Sequence, residues 1–145
     1  MTLSSAKAML MIRSSFDQLQ AAAEWTERIT QEMGFAENAV SDLAICVTEA
    51  VNNAIVHAHH HDARKTIVIR FEQREDAVQV RVLDEGKGKG FNPGGLADPT
   101  LPENVLKEGG RGIHIMRHLM DEVEVHSREK GTEVVMWKSK SKETS

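Results

Sequence analysis

Four short constellations in this chain carry residue types that can bind anions, accept protons or meet a ligand's amino group. Glu49 and Asn53 lie four residues apart, so on a helix they share one face, with His57 a further turn along. At about 100° per residue, Glu49 stands nearly opposite Val40, Val47, Val51 and Ala58, giving an apolar back and a Glu/Asn/His front. Asp84 closes a strand-like run and leads into Glu85-Gly86-Lys87-Gly88-Lys89-Gly90-Phe91. A carboxylate there can accept a hydrogen bond from an amino group while the glycines let backbone come close. Glu108-Gly109-Gly110-Arg111-Gly112 precedes an apolar helical run, so unpaired N–H groups at a helix start, helped by Arg111, can face an anion. Gly131-Thr132 precedes the last strand, where a hydroxyl can bond a ligand. Taken singly, each has an ordinary reading: a solvated helix face, two glycine-rich turns and a hairpin. Neither a Walker A pattern nor a G-x-G-x-x-G opening a helix is present.

The elements that must position these residues follow from periodicity. Ala8 to Ile12 reads as a short buried strand, and Ser14 or Ser15 can cap the next helix, with Ser15 and Gln18 spaced as a capping box. That helix carries Phe16, Leu19, Ala22, Ala23, Thr26 and Ile29 and stops at Gly34. A second helix over about 37–58 has a stripe of Val40, Leu43, Ala44, Val47, Val51, Ala54, Ile55 and Ala58. The period then becomes two: Ile67, Ile69 and Phe71 share one strand face, and Val78, Val80 and Val82 the next, turned at Gln73 to Asp76. A helix begins near Gly112. Val123/Val125 and Val134 to Trp137 form a closing pair of strands, and Lys138 to Ser145 reads as a polar, frayed tail. The order β-α-α-β-β-loop-α-β-β predicts an α+β fold, a two-layer sandwich of mixed or mostly antiparallel sheet with helices on one face. It excludes a doubly wound nucleotide fold, because strands and helices do not alternate.

Composition sets the outer bounds. The 145 residues fit one domain, 1–145, with a core at about 8–137. With 40% hydrophobic and 28% charged residues, the balance is that of an ordinary globular chain. No uninterrupted apolar run approaches the ~20 residues of a membrane span, no signal pattern opens the chain, and the expectation is a protein without a membrane. A single cysteine, Cys46, fits a reducing cytoplasm. Net charge −4 argues against direct nucleic-acid binding. Eight of the 10 glycines and all 3 prolines lie between residues 86 and 112, one irregular segment of the kind that carries function. His57, His59, His60 and His61 form a cluster that can suggest a metal. Adjacent histidines point in different directions, so the cluster reads as a solvated helix terminus that complements the helix dipole.

The order of the four constellations is more specific than any of them. Glu-x-x-x-Asn on a helix, Asp-x-Gly-x-Gly after a strand, Gly-x-Gly before a helix and Gly-Thr before a strand resemble the four boxes of the GHKL superfamily, with its Bergerat ATP-binding fold. The spans 47–57 and 110–123 look most like the anti-sigma serine-protein kinases of bacterial sporulation and stress switches. This resemblance covers roughly residues 8–137. It implies ATP and Mg²⁺ as cofactors, with Asn53 ligating Mg²⁺ and Glu49 acting as base or orienting group for an attacking hydroxyl. It implies that Asp84 accepts the adenine amino hydrogen, that Gly86, Gly88 and Gly90 make room for base and ribose, and that Thr132 supports the adenine side. It implies phosphate contacts at Gly110, Arg111 and Gly112, with 91–109 closing as a lid.

Two departures from the family pattern stand out. The glycine spacing after Asp84 is longer than usual, so either Gly86/Gly88 or Gly88/Gly90 fills the second box. Glu108 stands about where some kinases of this branch carry a lid arginine, which Lys107 or Arg111 would have to replace. The resemblance implies a bacterial cytoplasmic homodimer whose partners are an anti-sigma-factor antagonist, phosphorylated on Ser or Thr, and an RNA polymerase sigma factor. Two alternatives belong to other classes. One is a non-catalytic ATP-binding module that selects partners by nucleotide state. The other is a GHKL ATPase or histidine-kinase catalytic domain, which would add a transducer domain or a phosphoacceptor helix beyond the segments read here.

Overall fold

The computed structural model describes residues 6–86 and 111–140, the side chain of Arg111 excepted. Strand β1 (Lys7–Arg13) is followed by a 3-10 turn (Phe16–Gln18), helix α1 (Leu19–Glu32) and helix α2 (Glu37–Asn53), which runs on as a π-helical turn (Ala54–Ala58). Strands β2 (Thr66–Arg74) and β3 (Ala77–Asp84), helix α3 (Arg111–Leu119), and strands β4 (Glu122–Arg128) and β5 (Gly131–Ser139) complete the order. The sheet runs β1-β2-β3-β5-β4. Among the described residues every ladder is antiparallel, the mostly antiparallel form of the sequence-based expectation. The α+β two-layer arrangement is the one the period change predicts.

Period-two alternation puts Ile67, Ile69, Phe71, Val78, Val80, Val82, Val134 and Met136 on one face of the sheet. Against it lie Leu43, Val47, Val51 and Ile55 from α2 and its π turn, and Met116 from α3. Helix α2 is the spine of this core. By length and composition alone, Glu37–Ala58 would pass as a membrane-crossing helix, contrary to the reading of short apolar runs. Ten of its residues, from Ala39 to Ile55, are instead buried within the fold. That is the burial of a core helix.

Three local expectations change. Ser15 makes no capping bond to the helix; the chain leaves β1 through the 3-10 turn, and the Ser15 hydroxyl serves the Asp17 carboxylate instead. Phe16 consequently sits outside the apolar stripe, exposed, with its ring edge-on to His61. The supposed tail contributes to the sheet. Lys138 and Ser139 belong to β5, Lys138 Nζ donates to the Leu119 carbonyl (2.8 Å) at the end of α3, and Lys140 Nζ donates to the Met33 carbonyl (2.7 Å). A lysine at a helix C-terminus satisfies orphan carbonyls and opposes the dipole. Residues 141–145 lie outside the described residues.

Candidate active site

The half-buried polar side of α2 is roofed by the start of α3. Gly112 is buried there, and a Cβ added to it would stand 3.0 Å from Asn53 Nδ2, 3.1 Å from Glu49 Oε1 and 3.3 Å from Asn53 Oδ1. Any side chain at 112 would therefore press on both residues. The first N–H groups of a helix have no intrahelical acceptor, so this corner combines amide donors, a carboxylate and an amide oxygen. Immediately beyond Asn53 the helix widens into the π turn, a distortion that recurs at functional sites. His59 N–H bonds back to the Ala54 carbonyl (2.8 Å) and His61 N–H to that of Ile55 (2.8 Å).

Asp84 is the last residue of β3. It continues the core-facing register of Val80 and Val82, so the face that carries valines along β3 carries a carboxylate where the sheet ends. Its Oδ1 accepts two backbone hydrogen bonds, from Gly86 N–H and Thr132 N–H, both 3.0 Å. Among the described residues no donor is recorded on Oδ2. Burial raises the Asp84 pKa above its ordinary value, against the two amide bonds, which lower it. Gly131 has φ +129°, and a Cβ there would collide with the Asp84 carbonyl and lie 2.8 Å from Oδ1. Glycine at 131 is what lets β5 pass this close to the end of β3. Gly86 likewise leaves room for the Ala58 carbonyl, 2.8 Å from where its Cβ would stand.

A cleft of about 570 Å³ opens here, lined by Asp84, Gly86, Gly131 and Thr132 on the strand side and by His57 to His60, Asp62, Arg64 and Lys65 opposite. Such a volume suits a small-molecule ligand. Thr132 lines this cleft, and its backbone N–H is tied to Asp84 Oδ1. Gly88, Gly90, Gly110, the segment 91–109 and Glu108 lie outside the described residues, as does the side chain of Arg111.

The histidine cluster is the main correction. His60 and His61 are exposed with φ 50° and 65°, at a helix terminus as expected. His59 is only 2% exposed. Its Nδ1 lies 2.8 Å from Ser14 Oγ and its Nε2 accepts the Glu85 N–H at 3.0 Å. Burial holds its pKa below the usual histidine value, despite the nearby carboxylates of Asp84 and Glu85. It is a neutral, buried group rather than a solvated cation on a helix end. No periodic signal separates it from His60; the widened turn and a serine 45 residues away decide its burial.

With this geometry established, similarity to known proteins is informative. The family model for the histidine kinase-like ATPase domain matches residues 12–138. The serine-protein kinase RsbW of Bacillus subtilis (strain 168) is 37% identical over 114 residues, covering 76% of this chain and 71% of the relative. The serine-protein kinase RsbW of Bacillus velezensis is 35% identical over the same shares. Among solved structures, a Mycobacterium tuberculosis chain with RsbU and RsbW domains superposes with TM-score 0.68 at 16% identity, over 92% of this chain and 32% of that longer one. The histidine kinase domain of a blue-light activated histidine kinase from Erythrobacter litoralis EL346 follows with TM-score 0.52 and 24% identity, over 71% of this chain and 45% of that one. These two likenesses concern the fold. The family match over nearly the whole chain, together with relatives above 30% identity, places the chain in the histidine kinase-like ATPase domain family, within the branch that holds the RsbW serine-protein kinases.

Proposed function

We propose that this protein is a Mg-ATP-dependent serine/threonine-protein kinase and anti-sigma factor, which phosphorylates a small anti-sigma-factor antagonist and sequesters an RNA polymerase sigma factor. The observation that carries this reading is the meeting of Glu49 and Asn53 with Gly112 at the start of α3. Phosphoryl transfer asks mainly for positioning and charge neutralisation; Glu49 would serve the first, and the ion that Asn53 would hold the second. The relatives' naming as serine-protein kinases favours it over a non-catalytic module or a phosphohistidine enzyme.

Asn53 Oδ1 and Glu49 Oε1 are the hard oxygen donors at this corner, and Asn53 would be the protein ligand of Mg²⁺. When bound, the ion would supply charge neutralisation across the ATP phosphates. Glu49 would take the proton of the substrate serine hydroxyl as its Oγ bonds the γ-phosphorus. The bond from that phosphorus to the β–γ bridging oxygen breaks and ADP departs. Gly110, Arg111 and Gly112 would meet the phosphates, and 91–109 would close over them. Asp84 Oδ2 would accept the adenine amino hydrogen while Oδ1 stays tied to Gly86 and Thr132. Gly86 with Gly88, or Gly88 with Gly90, would leave room for base and ribose.

The whole chain, 1–145, would act as one domain in the bacterial cytoplasm, without direct nucleic-acid or membrane contact. A homodimer fits the open sheet face. Met9 and Met11 are 57% and 58% exposed on it; Lys7 and Arg70 lie toward the β1 edge, and Glu122 and Glu124 toward the β4 edge. Two such faces stacked about a twofold axis would set opposite charges together. The test of the function is transfer of label from γ-labelled ATP to candidate antagonist proteins. Phosphoserine or phosphothreonine on the antagonist is the expected product. Phosphohistidine, or tight ATP binding with no transfer to any of them, would contradict the reading.

A further inference from the structure

We infer that His59 is a positioning residue for the base end of the nucleotide cleft, clamping the β3 terminus so that Asp84 and Gly86 face the ligand. This inference rests on the nucleotide reading above. The Glu85 amide donates to Nε2, so Nε2 must carry a lone pair, and the ring proton resides on Nδ1, facing Ser14 Oγ at 2.8 Å. The neutral ring thus bridges the end of β1 to the first peptide after Asp84. Glu85 is held on its other side as well: its carboxylate accepts Thr66 N–H (2.6 Å) and Thr66 Oγ–H (2.7 Å) at the start of β2. The next amide, Gly86 N–H, is the one that fixes Asp84 Oδ1. A protonated Nε2 would turn a donor toward the Glu85 N–H donor, and this chain of bonds would lose its first link.

The surroundings determine when that happens. Asp84 and Glu85 face His59 from the end of β3, Asp62 and Lys65 from the loop before β2, and the neutral Ser14 from the end of β1. Burial, the largest influence, keeps the ring neutral below the ordinary histidine range. Between the lowered folded value and the unfolded value of about 6.5, the unfolded chain binds more protons. Stability from this group is therefore complete above about pH 6.5 and falls as the pH drops toward the folded value.

The experiment compares wild type, His59→Gln and His59→Leu. Glutamine can still accept the Glu85 N–H but does not titrate; leucine fills space and offers no acceptor. Mg-ATP affinity by calorimetry at pH 7.5 should fall about tenfold in His59→Leu and be restored at least in part in His59→Gln. Lowering the pH until the His59 ring titrates should weaken wild type more than His59→Gln; the titration of ATP itself is common to both. Amide NMR of the nucleotide-free proteins gives a readout independent of ATP. The Glu85, Gly86 and Thr132 amides should shift together with the titration of the His59 ring in wild type and lose that step in His59→Gln. Superimposable pH profiles, or His59→Leu binding as tightly as wild type while folded, would overturn the inference. Absence of Mg-ATP binding by wild type would instead defeat the nucleotide reading, and the amide titration would still decide the clamp.

Discussion

Glu49→Gln is expected to slow phosphotransfer to a serine-bearing partner by roughly 10²- to 10⁴-fold, the range associated with loss of a general base. Mg-ATP affinity should stay within about threefold, because the substitution removes the proton acceptor while preserving side-chain volume. The choice of Gln over Ala matters at this site. Glu49 is half-buried, with its Oε1 3.1 Å from where a Cβ on Gly112 would stand, so truncation would also open space beneath the start of α3. Single-turnover transfer from labelled ATP separates chemistry from binding. Transfer unchanged within about threefold would remove Glu49 from the proton step.

Asp84→Asn should divide affinity from stability. Asparagine Oδ1 can accept the Gly86 and Thr132 amides as the carboxylate does, so the β3–β5 junction keeps both bonds. The other branch of the side chain changes from acceptor to NH₂ donor, which opposes an adenine amino group; affinity for Mg-ATP should fall on the order of 100-fold. Stability moves the other way. Burial raises the Asp84 pKa, so in the folded state the ionised form is penalised above that raised value, and the penalty is relieved as pH falls toward the unfolded value. Removing the charge removes the penalty at neutral pH. The melting temperature of Asp84→Asn should equal or exceed that of wild type, and a marked drop alongside retained ATP affinity would reverse the assignment of Asp84.

How much of this was legible in the sequence depended on whether the signal was periodic. The alternation of Val78, Val80 and Val82 located β3, and carrying it one step further puts Asp84 on the core side, as the structure does. The stripe on α2 likewise predicted the face that carries Glu49 and Asn53. The closing strand was read too short, because Lys138 continues the inward register of Val134 and Met136 with a residue that looks solvated. Its amine instead reaches the Leu119 carbonyl and Asp42, 3.5 Å away. The Ser15–Gln18 spacing suggested a cap that the 3-10 turn displaces. His59 was the least legible residue. Three successive histidines look alike in sequence, and only the tertiary contact with Ser14 and the peptide after Asp84 distinguishes one of them.

The claim at the centre of this account is that the Asp84 cleft and the Glu49–Asn53–Gly112 corner form one Mg-ATP site. Thermal unfolding in the presence of nucleotide tests it most directly. A ligand bound only by the folded state stabilises it by about 2.7 kcal/mol at 100 times its Kd, enough to raise the Tm by several degrees in a chain of this size. Mg-ATP should produce that rise in wild type, and Asn53→Ala should abolish it. No rise with Mg-ATP, or the same rise in Asn53→Ala, would contradict the account.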